Sequence, residues 1–267
     1  MDVARLALAA AHGVPQMTGK MELQSEIITA EDAIPIIEFL EAVIPISPVM
    51  YFDYFSYKYF LENNEQLILL LLGADLTKSE LGWDCGACGF NACADFNAYS
   101  KKNKSKSVLQ AGPNCNWKLM DFAAACDFAC ASVAQNRVDC RVMGTIGGAA
   151  SRVGYLPSCS VVLGLPIGPI GEFNWFNRKQ NLRSTTQEMH IKWLQQTSPT
   201  NWQAFPGSTK PCTKTKQFWW NDMQYIKFES MDKKELKAAE DAMRNAQKVS
   251  EKYYGKVSGW YKKKGKE

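Results

Sequence analysis

The chain has 267 residues, 46% of them apolar, and a net charge of +4, enough material to bury a core in one large domain or in a domain with an appendage. The charge is too small to argue for nucleic acid, and the longest apolar run, LILLLLGA from Leu67 to Ala74, is too short to span a bilayer. The amino terminus, MDVARLALAAAHG, is interrupted by Asp2 and Arg5 and has no basic region before it. It reads as a helix over 3–11 rather than a cleaved signal peptide, and a cytoplasmic location is expected. MELQSEII follows with Met21, Leu23 and Ile27 alternating with polar residues, Ser25 being the exception, the pattern of a half-buried strand. Thr29 or Asp32 is expected to cap a helix that carries Pro35 in its first turn and Ile36, Leu40 and Val43 on one face, with Pro45 and Pro48 ending it. The aromatic run YFDYFSYKYFLENN reads as another helix. LILLLLGA, apolar at every position, reads as a strand covered on both faces.

No cysteine precedes Cys85, yet three fall within GWDCGACGFNAC. Cys85, Cys88, Cys93 and Cys115 form C-x2-C-x4-C-x21-C, the last of them just after a Gly-Pro turn. In a reducing compartment such a group points to metal ligands rather than disulfides, and four thiolates are the usual ligand count of a 4Fe-4S cluster. Gly86 and Gly89 let backbone amides turn towards sulfur, and Phe90 with Phe96 can exclude water. Zinc is the alternative metal, because C-x2-C also opens a zinc knuckle. A knuckle, however, wants histidine where Cys93 stands and a cysteine where Ala98 stands, and no second C-x2-C pairs with Cys115. Unliganded thiols are the third reading.

Between Cys93 and Cys115 runs KKNKSK. Its lysines, Lys101, Lys102, Lys104 and Lys106, are either a patch that steers an acidic redox partner or a solvated loop. A long helix rich in Ala and Cys is expected from Lys118 to about Gln135, a second over 144–153, and then the apolar strand CSVVLGLPI. Cys126, Cys130 and Cys140 could hold a second metal, but buried small side chains between helices is the preferred account, as it is for Cys159 and Cys212. His12 and His190 have no nucleophile and carboxylate grouped near them, which speaks against a hydrolytic triad. TIGGAASRVGY lacks G-x-G-x-x-G and does not suggest a dinucleotide site. The expected order is α, β, α, α, β, module, α, α, β, an α/β fold of the α+β sandwich kind with an inserted Cys-rich module.

The runs LGWDCGACGFNACADF, AGPNCNWKLMDFAAACDFACASVAQNRVDCRVMGTIGGAASRVGY, SCSVVLGLPIG and FNWFNRK closely resemble a family of uncharacterised ferredoxin-domain proteins of anaerobic bacteria and archaea, over roughly 2–179. The resemblance implies that Cys85, Cys88, Cys93 and Cys115 are cluster ligands. A related Cys/Gly-rich module binds 4Fe-4S in the corrinoid iron-sulfur protein and in Rnf-type electron-transfer complexes. It implies no reaction. A weaker likeness, over 121–168, is to flavin-dependent nitroreductases. It implies FMN as a further cofactor, with Arg137, Arg141 and Arg152 as phosphate-pairing candidates.

Beyond 179 the composition changes. The stretch 180–230 is polar with Trp193, Trp202 and Phe205 interspersed and a strongly aromatic FWWNDMQYIKF, so it is expected to lie over another surface. Residues 231–267 carry 11 basic and 6 acidic side chains, a net +5 against about −1 for the rest. There Asp232 and Glu235 form a capping-box start. A stripe of Leu236, Ala239, Met243, Ala246, Ser250, Tyr253, Val257 and Trp260 marks an amphipathic helix of about seven turns. Packing on its own domain is the expected role, and docking onto a partner subunit the sharper one.

The domain organisation expected is therefore a core over 1–179 holding an iron-sulfur module at 82–117, an aromatic-rich segment over 180–230 and a basic helical tail over 231–267. The expected function is single-electron transfer through one 4Fe-4S cluster, as a subunit or accessory of a larger redox system, without nucleic acid or a membrane span. A flavin reductase fed by the cluster and a zinc-stapled structural subunit are the alternatives from other classes.

Overall fold

The run at 67–74 becomes the second strand of a four-stranded sheet. The structure, a computed structural model, describes residues 1–29, 31–46, 50–62, 67–106, 110–170 and 232–259. The expected aromatic segment over 180–230, with His190 and Cys212, and the chain from Trp260 onward lie outside the described residues. In chain order the elements are α1 (Asp2–His12), β1 (Gln24–Thr29), a 3-10 turn (Glu31–Ala33), α2 (Ile34–Val43), α3 (Met50–Glu62) and β2 (Ile68–Ala74). These are followed by α4 (Cys93–Asn103), the two-residue strands β3 (Ser105–Lys106) and β4 (Ala111–Gly112), α5 (Asn116–Gln135) and β5 (Val138–Cys140). The series ends with α6 (Gly144–Val153), β6 (Val161–Ile170) and α7 (Lys233–Tyr253).

The large sheet runs β1-β2-β6-β5, and every pair in it is antiparallel. Successive side chains of a strand point to opposite faces, so an all-apolar strand needs a cover on each. Leu69 and Leu71 of β2 enter a core with α2, α3 and α6, whereas Leu70, Leu72 and Ala74 enter a second core with α1 and α5. Each of these leucines is at most 1% exposed and contributes about 2 kcal/mol by burial. The expected α/β sandwich is thus a sheet between two helical layers.

Three expectations are corrected. β1 is not half-buried: Ile27 and Ile28 are both fully enclosed, one on each face, because helices cover both sides of the sheet. Neither Thr29 nor Asp32 caps α2. The Thr29 hydroxyl donates to the Asp32 carboxylate at 3.2 Å, and the 3-10 turn feeds the helix directly through Ala33, with no side-chain cap bond. The lysine run is not a loop, since Lys101 and Lys102 close the last turn of α4, Lys104 follows it and Lys106 lies in β3. Cations there complement the negative carboxyl end of a helix.

Layer packing uses glycine where backbone meets backbone. A Cβ at Gly147 of α6 would overlap the Val162 carbonyl of β6, and one at Gly164 would come within 2.5 Å of Ile146 Cγ2. At the carboxyl end, α7 opens on the expected capping box, with the Asp232 carboxylate accepting from Lys234 N and Glu235 N at 2.8 Å each. It then packs on α2 and α6 of its own chain through Ala242, Ala246, Val249 and Tyr253. It stops at Tyr253, short of the seven expected turns.

Candidate metal centre

β2 delivers the chain to the cysteine module, and hydrogen bonds fix its exit. The Asp75 carboxylate accepts from Thr77 N at 3.1 Å and Thr77 Oγ1 at 2.7 Å, closing a local turn. Burial pushes this carboxyl up, but the two Thr77 donors and the charges of Lys104 and Lys118 together hold it below the usual carboxylate range. Leu76 accepts from Cys115 N at 2.8 Å, and Asn97 clamps Ser79 from both sides, with Ser79 N on its Oδ1 and its Nδ2 on Ser79 O, each at 2.7 Å. Lys118, 4% exposed, donates to the carbonyls of Asp75 and Lys78 at 3.1 Å each. Two loops distant in sequence, 75–79 and 111–116, are thereby held side by side.

The loop over 80–92 then turns back on itself. Gly86 and Gly89 have φ of +74° and +86°, which L side chains rarely adopt, and the Gly89 amide donates to Gly86 O at 2.9 Å. That amide closes the turn rather than facing sulfur. Amides that do act on a sulfur come from Gly82, Trp83 and Asp84. The Ser79 hydroxyl donates to Cys93 Sγ at 3.4 Å, and this bond, joined by those three backbone amides, holds the Cys93 thiol below its ordinary range. The Asp84 carboxylate in turn accepts from Cys93 N at 2.7 Å. Trp117 Nε1 donates to Cys85 Sγ at 3.2 Å, and the Asn116 amide donates to Ala87 O.

All four predicted thiols line one shallow, open depression, together with Gly86, Phe90 and Trp117. Cys93 is the first residue of α4 and Cys115 the N-cap of α5, so two of the four sit at positive helix ends that favour anions. Cys115 is 4% exposed, Cys88 and Cys93 are half-buried and Cys85 is exposed. Phe90 lies against Phe96 with centroids 5.8 Å apart and against Tyr99 at 5.2 Å, forming an apolar wall. Among the described residues no three His, Cys, Asp or Glu side chains converge on a single ion position.

The remaining predicted residues do not join this group. Lys101 and Lys102 stand eight and nine positions along α4 from Cys93, about 12 Å away by helical rise, and Lys104 lies 3.7 Å from Asp75 as an ion pair. Arg137 and Arg141 bracket β5 at the sheet edge, whereas Arg152 lies in the last turn of α6. His12 contacts Ser25 Oγ at 3.1 Å. Cys126 and Cys159 are buried, with thiols pushed up to about 12 by burial, as expected of small core side chains. Ser79, Asp84, Trp117 and Lys118 were not singled out from sequence. Each acts through a fold contact, and only the nearness of Asp84 and Trp117 to a cysteine hinted at a role.

Residues 111–178 match the family described as "Uncharacterized protein containing a ferredoxin domain". The match includes Cys115 and begins after Cys85, Cys88 and Cys93. The chain is also similar to an uncharacterized protein of Archaeoglobus fulgidus, 34% identical over 110 residues. That alignment covers 41% of this chain and 56% of the relative, so the chain spans about half the length of the protein it matches. No solved structure matches. No helix among the described residues is long and apolar enough to cross a membrane.

Proposed function

We propose that the chain binds one 4Fe-4S cluster through Cys85, Cys88, Cys93 and Cys115 and exchanges single electrons with a protein partner. The observation that carries this reading is the gathering of four thiols from two separate segments around one depression. When bound, such a cluster takes up and returns one electron at a time. The chain's own residues prepare the place. The amino ends of α4 and α5 supply positive potential, and the Trp117 indole and Ser79 hydroxyl donate to two of the sulfurs. Phe90 and Phe96 limit water on one side. The ferredoxin-domain family match supports iron-sulfur electron transfer as the class of activity.

The sequence pattern favours a cluster over zinc, because no second C-x2-C pairs with Cys115 and Cys93 stands where a zinc knuckle has histidine. Exposed Lys101 and Lys102 in the last turn of α4 form a positive patch away from the centre that suits an acidic partner.

The deciding experiment is iron, acid-labile sulfide and zinc analysis with a visible spectrum, on protein purified without oxygen. About four iron and four sulfide per chain, lost in Cys88→Ser and Cys93→Ser but kept in Cys212→Ser, is the expected result. One zinc per chain without sulfide, or equal loss from all three variants, overturns it.

A further inference from the structure

We propose that Cys130 and Cys140 form a thiol–disulfide exchange site, separate from the candidate metal centre, that is oxidised by low-molecular-weight disulfides. α5 ends in a tight reversal in which Asn136 N and Arg137 N donate to Val133 O and Ala134 O at 3.0 Å each, and Arg137 adopts φ +58°. The reversal sends β5 back beside the end of the helix. It places Cys140, the last residue of the strand, against Cys130, with Cys140 Sγ 3.8 Å from Cys130 O. Both are half-buried rather than enclosed, unlike Cys126 one turn earlier, which is 4% exposed in the apolar core. β5 is an edge strand of its sheet, and both cysteines lie partly buried against the second core.

The chemistry divides between the two sulfurs. The Cys140 thiol beside it and the Val142 amide hold the Cys130 thiol below its ordinary range against burial and the nearby Asp127 carboxylate. The same contact pushes the Cys140 thiol up. Cys130 is therefore the attacking group. Its sulfur attacks one sulfur of the small disulfide RSSR, the S–S bond breaks, and one RSH leaves after taking a proton. Cys140 then loses its proton and attacks the Cys130 sulfur of the mixed disulfide, releasing a second RSH. Two thiols of the chain are oxidised to one disulfide, and one RSSR is reduced to two RSH. The product ties edge strand β5 to α5, the helix capped by Cys115.

The test uses the full-length protein, held without oxygen and exposed to oxidised glutathione, then acid-quenched, alkylated and digested without reductant for peptide mapping by mass spectrometry. A linked Cys130–Cys140 peptide is expected from the wild type. In Cys140→Ser glutathione should be trapped on Cys130 at about ten times the rate at Cys126, or faster. Glutathione resting singly on Cys130 in the wild type without a bridge, a bridge that omits either residue, or Cys130 no more reactive than Cys126 overturns the proposal. The wild-type map alone decides the bridge should the variant fold poorly, and the peptide readout is independent of any metal bound elsewhere.

Discussion

Three residues past Cys115, Lys118 is enclosed with its ammonium on two carbonyls that leave β2, those of Asp75 and Lys78. Lys118→Met keeps the length of the side chain but strands both acceptors. Bonds to a charged donor are each worth about 1.5–3 kcal/mol, so a loss of about 3 kcal/mol is expected, read as a lower urea midpoint at unchanged slope. Asp75 ties stability to acid. Its folded-state carboxyl lies below the ordinary value, so the unfolded chain binds the proton more tightly; the stabilisation is complete above about pH 4 and is lost as pH falls through the lowered value. Thr77→Val removes the 2.7 Å hydroxyl donor and raises that carboxyl towards its unfolded value, so the variant should be less stable than the wild type near pH 6 yet lose less of its thermal midpoint as pH falls from about 6 to about 2. The four thiols were legible as a group because three of them fall within nine residues and the fourth follows a Gly-Pro turn. Their supports were not. Ser79 reaches Cys93 from fourteen positions away, and Trp117 reaches Cys85 from thirty-two.

Between elements, the closest approach is α6 on β6. A methyl group at Gly147 meets backbone that cannot move without breaking the pairing of β6 with β2, whereas at Gly164 it meets the side chain of Ile146, which can turn aside. Overpacking costs about 1–3 kcal/mol where side chains yield and more where they do not. Gly147→Ala should therefore lower the denaturant midpoint more than Gly164→Ala, by about 2 kcal/mol or more in stability; equal losses would mean that the layers slide apart. The same contrast explains which elements sequence revealed. α1, α3, α5 and α6 follow from helical composition and length, and β2 and β6 from runs that no solvent-facing element tolerates. β5 has three residues and one buried side chain, Asp139, too little for any period to register. α4 hides because its second half is a lysine run that composition alone reads as loop, although the positions of Cys93, Phe96 and Ser100 fit one helical face, with Phe96 and Ser100 buried.

At the scale of the whole chain, α7 joins residues far beyond β6 to the layer of α2 and α6. The seam is small: Ala242 and Ala246 are buried, with Val249, Tyr253 and Val257 partly so, and Lys252 and Tyr253 both bond Glu38 at 2.8 Å. The path continues past the end of α6, where a Cβ on Gly154 would lie 3.1 Å from Tyr254 Cα, to Gly259 beside Glu26 of β1. Water screens the Lys252–Glu38 pair, so packing rather than charge holds the helix. The striping that predicted the helix placed Met243 and Leu236 on its apolar side, yet both are half exposed, and the contact face is turned towards Ala242, Ala246 and Val249. Alanine lets the helix axes approach closely, so the small residues mark the seam better than the large ones. Ala246→Glu puts a carboxylate into that seam. Either the charge is buried unpaired or α7 leaves, and leaving costs less because α7 has its own capping box and solvent-facing charges. Hydrogen exchange should then show α7 amides losing protection while β2 and β6 keep theirs, with a lower thermal midpoint for the whole. Met243→Glu, on the exposed side of the same turn, should change stability by no more than about 0.5 kcal/mol. Equal effects from the two substitutions would place the seam elsewhere on the helix.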